Sequence, residues 1–243
     1  MTERRFFVEP VDANPQHLRL GDDEARHAER VLRLGVGAKV TCFDGRGRAW
    51  RGTIESFDRH CATVGNLEPL EVAPEPSQAI HLVQAVIKND AMDLVVQKAT
   101  ELGVASIVPL LAERCDVRRD ADRAARRVER WRKIAREAAK QSERGTLPAI
   151  GEAVGLEDAI ESAAGASVVL VERGGDPIAD VLARIGDAGA VTLFVGPEGG
   201  WTNGERASFA REAVAAASLG RGVLRAETAA IAGVAVARSV LWK

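Results

Sequence analysis

Two stretches of this chain pair a glycine loop with side chains able to do chemistry. The first is Leu193-Phe194-Val195-Gly196-Pro197-Glu198-Gly199-Gly200-Trp201. A β-favouring run from Ala190 to Val195 leads into the loop, and Thr202 or Asn203 can cap a helix that opens with Glu205. Strand, glycine loop and helix N-terminus form the layout of a small-molecule site at the carboxyl end of a parallel strand. The loop has a carboxylate, Glu198, and no Lys or Arg. A triphosphate needs cations and bare amides, so a ligand with a neutral or cationic end fits better. On its own, a plain tight turn would account for the same residues.

The second stretch is Ser218-Leu219-Gly220-Arg221-Gly222-Val223-Leu224-Arg225-Ala226-Glu227-Thr228, again an apolar run, a glycine loop and a helix start. It adds a cation, Arg225, and a carboxylate, Glu227, placed where it can favour a helix N-terminus.

Composition bounds what these loops serve. With 243 residues and 46% hydrophobic content the chain can bury one large core or two modest ones. Its 33 cations and 35 acids nearly cancel, so net charge gives no argument for nucleic acid. Cys42, Cys61 and Cys115 have no CxxC spacing, which supports neither a disulfide framework nor a metal site. The N-terminus has no signal-like apolar region and no run reaches membrane-spanning length, so a soluble, cytoplasmic protein is expected.

The elements that must carry the loops differ along the chain. Up to residue 72 short strands dominate: Arg5 to Val8, Lys39 to Phe43, Ala49 to Ile54 and His60 to Leu67, with Asp44-Gly45 at a hairpin bend and one helix from Asp22 to Arg33. This reads as a small β-barrel module. Glu68 to Pro76 is a Pro-rich acidic joint, and the linker proper is placed at 73–78. From 79 to 243 strands and helices alternate, as in an α/β domain around a parallel sheet. Met92, Val95, Val96, Ala99 and Leu102 form one helical face. The last helix, Glu227 to Leu241, is so apolar that burial nearly all round is expected.

A cationic stretch completes the inventory. From Arg114 to Arg144 there are twelve Lys or Arg against six acids, with Arg126, Arg130, Lys133, Lys140 and Arg144 on one helical stripe and Val128, Trp131, Ala135 and Ala138 on another. A solvated face and a phosphate-contacting surface fit equally well. Arg26, Arg30, Arg33, Arg46 and Arg48 supply further cations in the first module.

The two glycine-loop motifs, GPEGGW and SLGxxVLRxETA, resemble the RsmE family of SPOUT RNA methyltransferases. The resemblance continues through Glu24-Ala25-Arg26-His27, Asp44-Gly45-Arg46-Gly47, Gln84-Ala85-Val86-Ile87-Lys88, Gln97-Lys98-Ala99-Thr100-Glu101-Leu102-Gly103-Val104 and Arg130-Trp131-Arg132-Lys133. Arg221-Gly222 departs from the family's usual Pro-Arg. The resemblance implies a PUA-like β-barrel at 1–72 and a knotted SPOUT methyltransferase domain at 79–243, with a parallel sheet, a C-terminal trefoil knot and a homodimeric state.

It further implies S-adenosylmethionine as cofactor, held by Val171 and Glu172, by Gly196, Pro197, Glu198, Gly199 and Gly200, and by Leu219, Gly220, Val223, Leu224 and Thr228. The implied reaction is methylation of N3 of a uridine in 16S ribosomal RNA, probed by the enzyme within the assembled small subunit. Glu198, Arg225 and Glu227 are the candidate catalytic residues, and no metal is called for. Arg26, Arg30, Arg33, Arg46, Arg48, Arg126, Arg130 and Lys133 are the candidate RNA contacts. Two other readings stay open: a methyltransferase of this fold acting on another RNA position, and a catalytically silent RNA-binding module.

Overall fold

The computed structural model describes residues 4–12, 14–115 and 121–242. They group into two compact units, Met1–Glu75 with Arg136–Leu147, and Pro76–Ala135 with Pro148–Lys243.

The first unit is built on β1 (Arg5–Phe7), β2 (Leu18–Leu20), β3 (Lys39–Phe43), β4 (Ala49–Asp58) and β5 (Cys61–Leu70), hydrogen-bonded in the order β1-β3-β4-β5-β2. Between β2 and β3 lies α1 (Asp22–Arg26), which runs on as a π-helical turn, His27–Val31. Phe6, Leu18, Leu20, Val40, Trp50, Ile54 and Val64 close the core. Register shifts along β4 bend it over that core. At the β3–β4 bend the buried Asp44 carboxylate accepts from the backbone N–H of Arg46 and Arg48, and Gly45 and Gly47 take φ of 69° and 90°.

Glu68 to Leu70, expected in the Pro-rich joint, instead finish β5, with Pro69 opposite Trp50. Proline is tolerated there because β2 pairs only with Ala62 to Val64, so at Pro69 the strand is an edge.

The cationic stripe also needs correction. Lys140 is buried, its ammonium 3.0 Å from the carboxylate of Glu24, with the two side chains 6% and 8% exposed. Arg144 pairs with Glu75 at 3.3 Å. Helical periodicity places residues on faces, but the carboxylate that draws Lys140 inward lies 116 positions earlier. Burial raises the Glu24 pKa, and Lys140 pulls it back.

The second unit is a seven-stranded, wholly parallel sheet: β6 (Ala79–Ala85), β7 (Ser106–Leu110), β8 (Ala149–Ile150), β9 (Ala166–Leu170), β10 (Asp176–Pro177), β11 (Ala190–Val195) and β12 (Ala215–Ser218), in the order β10-β12-β9-β11-β6-β7-β8. Its helices are α2 (Asn89–Glu101), α3 (Ala121–Gln141), α4 (Leu156–Glu161), α5 (Ile178–Ile185), α6 (Asn203–Arg211) and α7 (Ala226–Leu241). One sheet face packs on α2, α5, α7 and the Val128–Trp131–Ala135 stripe of α3. The other packs on α4 and α6 through Ala159 and Phe209. Covered on both faces, β6 and β11 are almost continuously buried, as parallel strands require. Met92, Val95, Val96 and Ala99 turn into the core as their spacing predicts.

Helix α7 is not buried nearly all round. Ala226, Ala230, Gly233, Val234 and Ala237 are buried, whereas Ile231, Ala232, Ala235 and Val236 stay partly exposed. The helix packs on α2, α5 and the sheet, which cover one side of it. No helix among the described residues is long and apolar enough to cross a membrane.

Candidate functional site

The loops after β9, β11 and β12 leave the carboxyl ends of three adjacent parallel strands, and they wall one cavity of about 500 Å³. That volume is ordinary for a small-molecule site. Of the residues named from sequence, Val171, Glu172, Gly196, Pro197, Glu198, Leu219, Gly220, Val223, Leu224, Arg225 and Glu227 line it. Gly199, Gly200 and Thr228 do not, although Gly200 shapes the wall. Its φ is +65°, and a Cβ added there would lie 2.4 Å from Glu172 Oε1. Glycine therefore lets the Glu172 carboxylate approach the backbone of the GPEGG loop.

The loop geometry is held from behind. Thr202 caps α6 in a capping box: Glu205 N–H donates to Thr202 Oγ1, and Thr202 N–H donates to Glu205 Oε2. The second Glu205 oxygen accepts from Glu113 N–H at 2.9 Å, so this 3%-exposed carboxylate is fully engaged. Arg114 donates to the carbonyl of Gly199 at 2.7 Å. Trp201 is buried against Phe209, edge to face, and its ring sits 3.0 Å from where a Gly196 Cβ would be.

Among the described residues, five charged side chains line the cavity: Lys88, Glu172, Glu198, Arg225 and Glu227. Glu172 pairs with Arg206 at 3.2 Å. Glu227 stands in the first turn of α7, where the helix N-terminus favours a carboxylate. Its side chain is 17% exposed, and the Arg225 guanidinium, 87% exposed, lies 4.0 Å away. Three carboxylates around an otherwise apolar cavity suit a cationic or neutral ligand, and the two cations leave room for an anionic group at one end.

Sequence reasoning gave no role to Lys88, Trp201 or Ala91, which also line the cavity. Lys88 and Trp201 lie within stretches that carry the family resemblance, but nothing in their spacing linked Lys88 to loops more than 100 residues later.

The candidate RNA contacts fall in both units. In the first, Arg26, Arg30, Arg33 and Arg46 are exposed, with Arg26 paired to Asp22 and Asp23. Arg48 is committed to structure: Nε donates to Asp44 at 2.7 Å and Nη2 to the Val11 carbonyl at 2.6 Å. In the second, Arg126, Arg130 and Lys133 are exposed on α3, with Arg130 paired to Asp93. Residues 116–120 of the cationic stretch lie outside the described residues.

A parallel sheet whose strand-end glycine loops wall a cavity defines an α/β small-molecule-binding protein. Comparison with known proteins narrows this. The RNA methyltransferase domain family matches residues 74–238, and the RNA methyltransferase PUA domain matches residues 20–64. The chain belongs to this RNA methyltransferase family, among the ribosomal RNA small subunit methyltransferase E proteins (RsmE).

The Mycobacterium tuberculosis protein of that name is 32% identical over 95% of this chain and 89% of its own length. The Rickettsia conorii protein is 30% identical over 98% and 96%. Among solved structures, the ribosomal RNA small subunit methyltransferase E of Neisseria gonorrhoeae bound to S-adenosyl methionine is similar at 31% identity and a TM-score of 0.89, over 98% of both chains. A putative methyltransferase from Legionella pneumophila in complex with SAM gives 30% and 0.90, also over 98% of both.

Proposed function

We infer that the protein methylates N3 of a uridine in small-subunit ribosomal RNA, using S-adenosylmethionine held in the cavity at the ends of β9, β11 and β12. The observation that carries this reading is the cavity itself: three glycine-bearing loops from adjacent parallel strands, with carboxylates and no phosphate cradle, in a chain of the RNA methyltransferase family. The donor set fits the cofactor, whose reactive end is a cation and whose adenine and ribose need backbone approach rather than phosphate-binding amides. Bound there, it would supply an electrophilic sulfonium methyl to the deprotonated N3.

The chain's own residues handle the proton and the charge. N3 of uracil holds a proton at neutral pH and is not nucleophilic until it leaves. Glu227, set in the cavity wall beside Arg225, accepts that proton. Arg225, whose side chain is exposed beside Glu227, faces the negative charge that then spreads over a uracil oxygen. Glu198 anchors the ligand by hydrogen bonding from the opposite loop.

Exposed cations of both units, Arg26, Arg30, Arg33 and Arg46 in one and Arg126, Arg130 and Lys133 in the other, hold RNA phosphates. The domain reading is a PUA-like module at 1–72, a linker at 73–78 and a SPOUT domain at 79–243 with its C-terminal segment knotted. The protein works in the cytoplasm, on the small subunit, as a homodimer. The partly exposed apolar side chains of α7 suit a subunit contact.

Calorimetric titration with S-adenosylmethionine, with ATP and NAD as controls, tests the cofactor assignment. Binding of S-adenosylmethionine alone is expected, and binding of ATP or NAD in its place would refute it. Glu227→Gln and Arg225→Ala are expected to fold normally and lose most methyl transfer to small subunits. Full activity in both would remove them from the site.

A further inference from the structure

We propose that Lys88 is a catalytic residue of this site, its ammonium held against the second carbonyl oxygen of the uracil as N3 loses its proton. The inference rests on the uridine-N3 reading above. Deprotonation at N3 leaves an anion spread over two carbonyl oxygens, one on each side of the nitrogen. Arg225 can cover one of them. Lys88 is the other cation among the described residues that line the cavity.

Its placement follows from the topology. Lys88 leaves the carboxyl end of β6, and β6 is hydrogen-bonded to β11 with Gln84 opposite Val195, so it emerges beside the loop that carries Glu198. It is also the N-cap residue of α2, and α2 packs on α7, which carries Glu227 in its first turn. Lys88 is thus supported by the neighbours of both candidate carboxylates, Glu198 and Glu227.

Its chemical state suits the task. Arg225, Glu227 and Glu172 all have an ion-pair partner, whereas Lys88 has none among the described residues and is exposed at the cavity. An ammonium with no carboxylate to satisfy it is available to a substrate oxygen. Its backbone is set at the start of α2, and the flexible side chain can carry the ammonium to a substrate oxygen within the cavity.

The test compares wild type, Lys88→Met and Lys88→Arg on unmodified small ribosomal subunits, measuring kcat against pH and, separately, the S-adenosylmethionine Kd by calorimetry. For Lys88→Met, kcat is expected to fall by about 100-fold at neutral pH, with the cofactor Kd changed by less than about twofold. The rising limb of the kcat–pH profile is expected to move to higher pH, because the uracil proton becomes harder to remove. Lys88→Arg is expected to restore most of the rate.

Loss of cofactor affinity in step with activity would overturn the proposal and assign Lys88 to the cofactor's carboxylate. Full activity in Lys88→Met, or a lower kcat with an unmoved pH profile, would overturn it as well. Wild type serves as the separate arm: if it forms no N3-methyluridine, the underlying reading falls and takes this one with it. If it does, a failure belongs to Lys88 alone.

Discussion

The indole N–H of Trp201 donates to the carbonyl oxygen of Leu170 at 3.0 Å, joining the segment after β11 to the end of the neighbouring strand β9. Two of the three loops that wall the cavity are therefore tied together by one buried side chain, whose ring also sits against Gly196. Trp201→Phe keeps an aromatic ring on Phe209 but removes the donor and leaves the Leu170 carbonyl unsatisfied. A loss of about 1 kcal/mol of stability is expected, accompanied by a weaker S-adenosylmethionine Kd. An unchanged Kd would show that the bond does not shape the site.

Gly200 illustrates a loop position that no side chain can share. Gly200→Ala places an L-residue at φ +65° and its Cβ 2.4 Å from Glu172 Oε1. The backbone strain alone costs about 1–2 kcal/mol, and Glu172 must also move away from the loop. Lower thermal stability together with weakened cofactor binding is the expected pair of results. Gly222→Ala, in the loop after β12, has open space around its Cβ and serves as the control for stability.

The buried pair Glu24–Lys140 gives the first unit its own test. Lys140→Met alone leaves the 8%-exposed Glu24 without its cation and is expected to cost about 3–5 kcal/mol. Glu24→Leu combined with Lys140→Met removes both charges and should recover most of that loss in urea titrations. Equal destabilisation by the single and double variants would mean that packing, not charge, sets the cost.

These cases mark what the sequence could and could not disclose. The strand–glycine–helix stretches at Gly196 and Gly220 are local, so their residue types and spacing pointed to the cavity walls, and Thr202 announced the α6 cap. Lys88 was missed because its part in the cavity comes from sheet order, which places β6 beside β11. Lys140 falls on the cationic stripe by periodicity because its buried partner, Glu24, is remote in the chain. β2, β8 and β10 are two or three residues long, too short for any alternation to register, and α4 is barely longer than a turn. Helix α7 is only partly covered within the chain, because apolar composition reports what a helix can bury, not how many neighbours one chain supplies.

His81 carries a pH prediction. Its Nδ1 lies 2.7 Å from Ser106 Oγ, and burial lowers its pKa below the ordinary 6.5. Because the folded state takes up this proton less readily than the unfolded chain, stability is complete above pH 6.5 and is lost as pH falls below that value towards the folded pKa. Urea midpoints for wild type should drop over that window more steeply than those of His81→Gln. Parallel pH profiles for the two proteins would contradict the assignment.

The most direct test of the function is nucleoside analysis of small ribosomal subunits lacking this modification, after incubation with the purified protein and methyl-labelled S-adenosylmethionine. The result expected is label in N3-methyluridine alone, most of it lost when Glu227→Gln replaces wild type. Label in any other nucleoside, or no label despite cofactor binding, would contradict it.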